Sequence, residues 1–230
     1  MGFDYLFQKR WRDISRDERR FCADLVFQLK INGTEKEFIK WIILHNKLNI
    51  TSFKDFEIDF EVCFYRDLIF DYELEKNVTL TGKKEIKGFL KRTFDICIFL
   101  PDDIIIIEAK AAKGMTSEQM MEFKYDKLAI KSCLKYLKLP SKNVHVIGLV
   151  SQEYDTTAIK TLNKKHNYFN GIISWADIED NNTLKYIQPN KLKKVYKETS
   201  KKRKPGELEL INHLVDLTNR MHEHIQNEKN

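Results

Sequence analysis

Thr93 to Lys110 reads TFDICIFLPDDIIIIEAK, and this stretch decides the fold. Two apolar, β-prone runs, Phe94 to Leu100 and Ile104 to Ile107, are separated by Pro101, Asp102 and Asp103, whose turn chemistry predicts a β-hairpin. Each strand carries or ends on an acid, Asp95 in the first and Glu108 in the second. A connection of two or four residues makes Glu108 the cross-strand partner of Asp95 and sets both carboxylates on one face. An odd connection without a bulge separates them. Lys110 follows Glu108 by two positions and shares its face.

Like charges placed opposite one another destabilise a hairpin, so this placement implies a cation between them. Two carboxylates and free water positions suit Mg²⁺, with Mn²⁺ as a substitute, because such ions take oxygen ligands and retain several waters. A water is then the natural nucleophile, with Lys110 orienting it or facing a phosphate. The Glu-x-Lys pattern alone is weak: it also occurs at Glu85 to Lys87 and Glu122 to Lys124. Only the copy at Glu108 ends an apolar strand that directly follows a strand bearing an Asp. The plainer alternative makes Asp95 and Glu108 strand-end charges and Lys110 their exposed partner.

Asp95, then Glu108-Ala109-Lys110 closing the next strand, then a helix opening near Thr116, resembles the PD-(D/E)XK nuclease superfamily, the restriction-endonuclease-like fold. The resemblance implies an α/β fold, a mixed central β-sheet flanked by helices, and Mg²⁺-dependent hydrolysis of phosphodiesters, most often in DNA. By matching positions it implies Asp95 and Glu108 as metal ligands and Lys110 as the catalytic lysine. Many members carry a further acid on a helix before the sheet, a place that Glu18 fits; Glu61 is its rival. As an order of elements the resemblance runs from Ser15 to Ile178, and its specific part from Asp95 to Gln119.

At 230 residues, 42% hydrophobic and 12% aromatic, the chain is long and apolar enough to fold around a sizeable core. No apolar run reaches the length of a membrane span, and the N-terminal twenty residues lack a signal-peptide pattern, so a cytoplasmic protein without a membrane partner is expected. Cys22, Cys63, Cys97 and Cys133 are isolated, which argues against both a zinc site and a disulfide framework. The net charge of +6 fits a polyanionic partner without demonstrating one.

Ser15 to Lys30 has the apolar stripe of a helix, ended by Asn32-Gly33, and Ser15-x-x-Glu18 reads first as a capping box. A second helix is expected from Thr34 to about Leu48, then an alternating strand from Glu57 whose acids Glu57, Asp59 and Glu61 share a face. Arg66 to Lys76 has no clear assignment. Lys83, Lys84, Lys91 and Arg92 place cations just before the Asp95 strand, where they suit a phosphate backbone or a solvated loop equally. Thr116 to Lys138 predicts a helix buried on two sides, with Met121, Tyr125, Leu128 and Tyr136 as a second stripe. Gln119 is read as a cap. Val144 to Val150 predicts a core strand parallel to that of Glu108, and Gly171 to Trp175 a last strand, with a helix over Thr156 to Lys165 between them.

Eight of the fourteen residues from Lys191 to Lys204 are Lys or Arg. The expected organisation is therefore a nuclease-like domain over residues 1–190 and, over 191–230, a basic segment plus an amphipathic C-terminal helix. That helix either docks on its own domain or pairs two chains as a homodimer. The function expected is an Mg²⁺-dependent nuclease acting on DNA, an endonuclease of restriction or defence type; the alternative is a non-catalytic nucleic-acid-binding module on the same fold.

Overall fold

The computed structural model describes residues 18–80, 92–110, 117–150, 163 and 167–179. The chain divides into two units, Met1–Ser200 and Lys201–Asn230, and every described residue belongs to the first. The expected helix over Thr156 to Lys165 (save Asn163), the basic run and the C-terminal helix lie outside the described residues, as do Ser15, Lys83, Lys84, Lys91 and the side chain of Gln119.

In chain order the elements are α1 (Glu18–Asn32), α2 (Glu35–His45), β1 (Glu57–Val62), α3 (Phe64–Lys76), β2 (Phe94–Phe99), β3 (Asp103–Ala109), α4 (Ser117–Tyr136), β4 (Asn143–Val150), β5 (Gly171–Ser174) and α5 (Trp175–Glu179). The five strands form one sheet in the order β1-β2-β3-β4-β5. β1, β2 and β3 run antiparallel in turn, and β4 and β5 run parallel to β3. This is a mixed sheet with flanking helices, an α/β fold, in which α4 provides the crossover that a parallel β3–β4 pair requires.

β3 is the central strand and is buried along its whole length. A run of four isoleucines, Ile104 to Ile107, suits a strand covered on both faces. Ile105 and Ile107 join Ile96, Ile98, Ile147 and Leu149 against α1 and α2. On the other face Ile104 and Ile106 pack with Cys97, Val144 and Val146 against Phe64, Tyr65 and Ile69 of α3 and Phe123, Ile130 and Leu134 of α4. The only polar side chains of β3 are the acids at its ends. Asp103 is answered by His145 Nε2 at 2.8 Å, and Lys142 Nζ donates to the carbonyl of Pro101, so the hairpin tip is tied to β4.

The hairpin loop is Pro101-Asp102, because Leu100 N–H donates to the Asp103 carbonyl at 2.9 Å and Asp103 already belongs to the strand. Neither loop residue has a left-handed φ. α1 ends at Gly33, whose φ of 64° lets Gly33 and Thr34 donate back to the carbonyls of Lys30 and Leu29. Lys47, Asn77 and Lys138 take the same left-handed conformation after α2, α3 and α4.

Two expectations need correction. The second stripe on α4 is exposed at Tyr125, Leu128 and Tyr136, the side chain of Met121 lying outside the described residues, and the buried face among the described side chains carries Phe123, Ile130 and Leu134. Arg66 to Lys76 is helical within α3, which had no clear reading because the helix buries only Phe64, Tyr65 and Ile69 while Phe70 and Leu74 stay in solvent. Among the described residues no helix is long and apolar enough to cross a membrane.

The start of β5 lies hard against the end of α2. A Cβ on Gly171 would fall 1.8 Å from Asn46 Oδ1 and 2.8 Å from its Cβ, too close for a rotamer change of Asn46 to relieve. Gly171→Ala is expected to lower stability by about 1 to 3 kcal/mol in urea denaturation, and Asn46→Gly should recover part of the loss. Equal stability of Gly171→Ala and the parent protein would show that β5 and α2 do not approach in this way.

Candidate active site at the end of the central hairpin

The β2–β3 register pairs Ile96 with Ile107, and one further step brings Asp95 opposite Glu108. The two-residue loop therefore meets the condition for a facing acid pair. Asp95 Oδ2 accepts the backbone N–H of Ala109 at 2.7 Å, which fixes the carboxylate at the edge of the hairpin. Glu108 is 5% exposed, and its Oε1 accepts from Arg92 Nη2 at 3.3 Å. Its Oε2 is buried without a hydrogen-bond partner. Burial first, then the charge of Asp95, pushes the Glu108 carboxyl well above the usual range; Arg92 and Lys110 pull against this without cancelling it.

β3 ends at Ala109, and Lys110 remains pinned to the sheet by its N–H to the Leu149 carbonyl at 2.7 Å. Its side chain reaches α1. Nζ lies 2.9 Å from Glu18 Oε2 and 2.9 Å from the Ala109 carbonyl, which uses two of its three protons among the described residues. Burial alone would lower the Lys110 pKa, but the hydrogen bond and charge of Glu18, helped by Asp95 and Glu108, hold it above its ordinary value. Lys110 is therefore a firm cation.

Glu18, whose first reading was a cap for its own helix, is thus bonded across 92 positions of sequence to Lys110. Glu61 stands opposite Asp95 on β1, but it interrupts the ladder there: Phe60 pairs with Ile96 and Val62 with Phe94, while Glu61 has a φ of 54°. A left-handed non-glycine residue costs about 1 to 2 kcal/mol. The Glu61 carboxylate lies 3.4 Å from Arg19 Nε on α1. Among the described residues no group of three or more His, Cys, Asp or Glu side chains sits at metal-binding spacing.

Two participants had no distinguishing mark in the sequence. Arg92, one of several cations before β2, and Asp126, one of three acids on α4, form a half-buried pair with Nη2 to Oδ2 at 2.7 Å and Nε to Oδ2 at 3.2 Å. Only the spacing of Asp126 from Phe123 and Ile130, one helical turn on either side along the buried face, placed it inward. The thiols of Cys22 and Cys97 are held protonated, by burial first and then by these same acids, so neither serves as a nucleophile.

Four carboxylates, Asp95, Glu108, Glu18 and Asp126, thus meet two cations, Lys110 and Arg92, which leaves two negative charges when all are ionised. A proton on Glu108 removes one. A divalent cation removes both, and the orphaned Oε2 beside Asp95 is the kind of oxygen such an ion takes.

The raised Glu108 pKa has a definite sign in stability. The folded state holds its proton above the ordinary glutamate range, so without divalent metal stability falls as pH rises from about 4.5 towards neutrality. Glu108→Gln, titrated with urea in chelator, should show a flatter profile and gain on the parent protein as pH rises; parallel profiles would mean that Glu108 ionises normally. Comparison with protein-family models, with curated proteins and with solved structures gives no match, so the chemistry of this site is argued from its own geometry.

Proposed function

We propose that this protein is a metal-dependent nuclease of the PD-(D/E)XK type, hydrolysing phosphodiester bonds of DNA with Mg²⁺, or Mn²⁺ as a substitute. The observation that carries this reading is the buried Glu108 Oε2, left without a hydrogen-bond partner on the strand facing Asp95, with the Lys110 ammonium held by Glu18 near enough to act on both acids through its charge. The order of the sheet supports it too, because the acid pair sits on the central hairpin of a mixed sheet and the following parallel strand is reached through a helix.

Phosphodiester hydrolysis needs help mainly for negative charge developing on phosphoryl oxygens. A divalent cation bound at the hairpin supplies Lewis-acid stabilisation of that charge and acidifies a water. Asp95 and Glu108 would hold it, since Asp95 accepts only a backbone N–H and Glu108 shares, at 3.3 Å, a guanidinium held more closely by Asp126. Glu18 is occupied with Lys110, and Asp126 with Arg92. Lys110 is too firmly protonated to act as a base, so its role is to orient the attacking water or to face the scissile phosphate with its remaining N–H. Glu18 positions Lys110, which is a reason for an acid on α1 that does not require it to touch metal.

Asp95→Asn and Lys110→Ala should each reduce cleavage of supercoiled and linear DNA by at least about 10²-fold, while near-ultraviolet circular dichroism and the unfolding midpoint stay close to the parent. Without nucleic acid, Mg²⁺ should raise the Tm of the parent protein and leave that of Asp95→Asn unchanged, since a ligand stabilises only the state that binds it. Undiminished cleavage by Lys110→Ala, or cleavage that persists in chelator, would end this assignment.

A further inference from the structure

Arg92 is the part of the site that the proposed chemistry leaves without a task. Its guanidinium is gripped by Asp126, with Nη2 to Oδ2 at 2.7 Å and Nε to Oδ2 at 3.2 Å, and it lies 5.4 Å from the ring of Phe94 and 5.3 Å from that of Phe123. These contacts fix the plane of the group. Nη2 reaches Glu108 Oε1 at 3.3 Å, a longer contact than the 2.7 Å that the same nitrogen makes to Asp126. Nη2 carries two protons, one directed to Asp126 and one to Glu108, so the second can be surrendered without disturbing the first.

We propose that Arg92 is a counter-ion which Glu108 exchanges for the divalent cation, and that the guanidinium, still anchored on Asp126, then offers its released N–H to a non-bridging oxygen of the phosphodiester. The inference rests on the nuclease reading and gives Arg92 a direct contact with the substrate in it. The charge arithmetic supports the exchange. Glu108 is 7% exposed in its side chain and lies beside Asp95, so an ionised Glu108 needs a cation at all times. Arg92 is the cation that the chain itself supplies. When Mg²⁺ takes that duty, a guanidinium left over Glu108 would repel the ion, whereas one turned to an incoming phosphate would neutralise it. A guanidinium suits both duties because it is permanently charged and presents several N–H groups in one plane. Its side chain is 27% exposed, so a substrate can reach it.

The plain alternative is a brace, in which Arg92 and Asp126 merely join the start of β2 to α4. The two differ in the sign of one measurement. A brace, once removed, loosens the site and weakens or leaves unchanged its hold on metal. A competing counter-ion, once removed, lets metal bind more tightly while catalysis suffers.

The test is calorimetric titration of Mg²⁺ into the full chain without nucleic acid, comparing the parent with Arg92→Met and Arg92→Lys, followed by DNA cleavage at saturating Mg²⁺. Arg92→Met is expected to bind Mg²⁺ about tenfold more tightly, the order of effect of removing one nearby positive charge, and to cleave at least about 10²-fold more slowly. Arg92→Lys keeps the charge, so its Mg²⁺ affinity should stay within about twofold of the parent. Unchanged or weaker Mg²⁺ binding by folded Arg92→Met overturns the exchange. If Arg92→Met does not fold, Arg92→Gln takes its place in the same titration: tighter Mg²⁺ binding upholds the exchange, and unchanged or weaker binding overturns it. A parent protein that binds Mg²⁺ but cleaves no DNA removes the nuclease reading, and tighter binding by Arg92→Met then still upholds the exchange. Cleavage by the parent without tighter binding by Arg92→Met removes the exchange alone. A parent that binds no Mg²⁺ removes both.

Discussion

The structure depends on how one buried carboxylate is tolerated. Glu108 ends a strand that is otherwise apolar and covered on both faces, and another acid stands opposite it on the neighbouring strand. A carboxylate in such a place costs several kcal/mol if it ionises without compensation. Asp103, at the far end of the same strand, shows the ordinary remedy, a histidine at 2.8 Å. At the Glu108 end one guanidinium at 3.3 Å serves a carboxylate that is beside a second one, and an oxygen is left unpartnered. Stability alone does not account for that difference.

Each layer of the fold contributes to the incomplete remedy. The sheet sets the register of Asp95 and Glu108 and carries Lys110 to the end of β3. α1, packed on one face, supplies Glu18 to hold Lys110; α4, packed on the other, supplies Asp126 to hold Arg92. Both cations are thus anchored from outside by a helix, while Arg92 reaches Glu108 directly and Lys110 acts on the central acids through its charge. Packing of α1 and α4 against the isoleucine-rich sheet is what gives the side chains fixed places, so core stability and site geometry are linked through the same contacts. The left-handed turn at Glu61 belongs to this region as well, since it breaks the β1–β2 ladder opposite Asp95.

Much of this was legible in the sequence because it depended on short-range rules. Alternation of side chains and the turn chemistry of Pro101 to Asp103 predicted the hairpin, while the facing of the acids waited on the loop length, which the structure sets at two residues. The compact run Val144 to Val150 announced a buried parallel strand for similar reasons. The pairing of Glu18 with Lys110 did not follow, because a capping box is a local explanation for Glu18 that satisfies the same residue without reference to the sheet. Arg92 and Asp126 are separated by 34 positions; nothing local distinguishes Arg92 in a chain that is 32% charged, and Asp126 is marked only by its place between Phe123 and Ile130. Tyr125, Leu128 and Tyr136 misled in the opposite sense, since apolar residues at helical spacing need not be covered when the helix has only one sheet to pack on.

The ordering of commitments among the charges narrows what the site can do. Lys110 is held above its ordinary pKa, and Arg92 is a guanidinium, so neither cation can accept a proton at neutral pH. The two cysteines nearby are kept as thiols. The carboxyls of Glu108 and Asp126 are both pushed above the usual range, each by burial first; the charge of Asp95 adds to this at Glu108, and Arg92 pulls against it at both. Nucleophilic catalysis by a side chain therefore has no well-placed agent among the described residues, whereas activation of water by a cation held between two acids has every part except the cation. With every group ionised the site carries two negative charges in excess, and on the proposed reading a divalent ion that balanced them would tighten the structure as it completed the site.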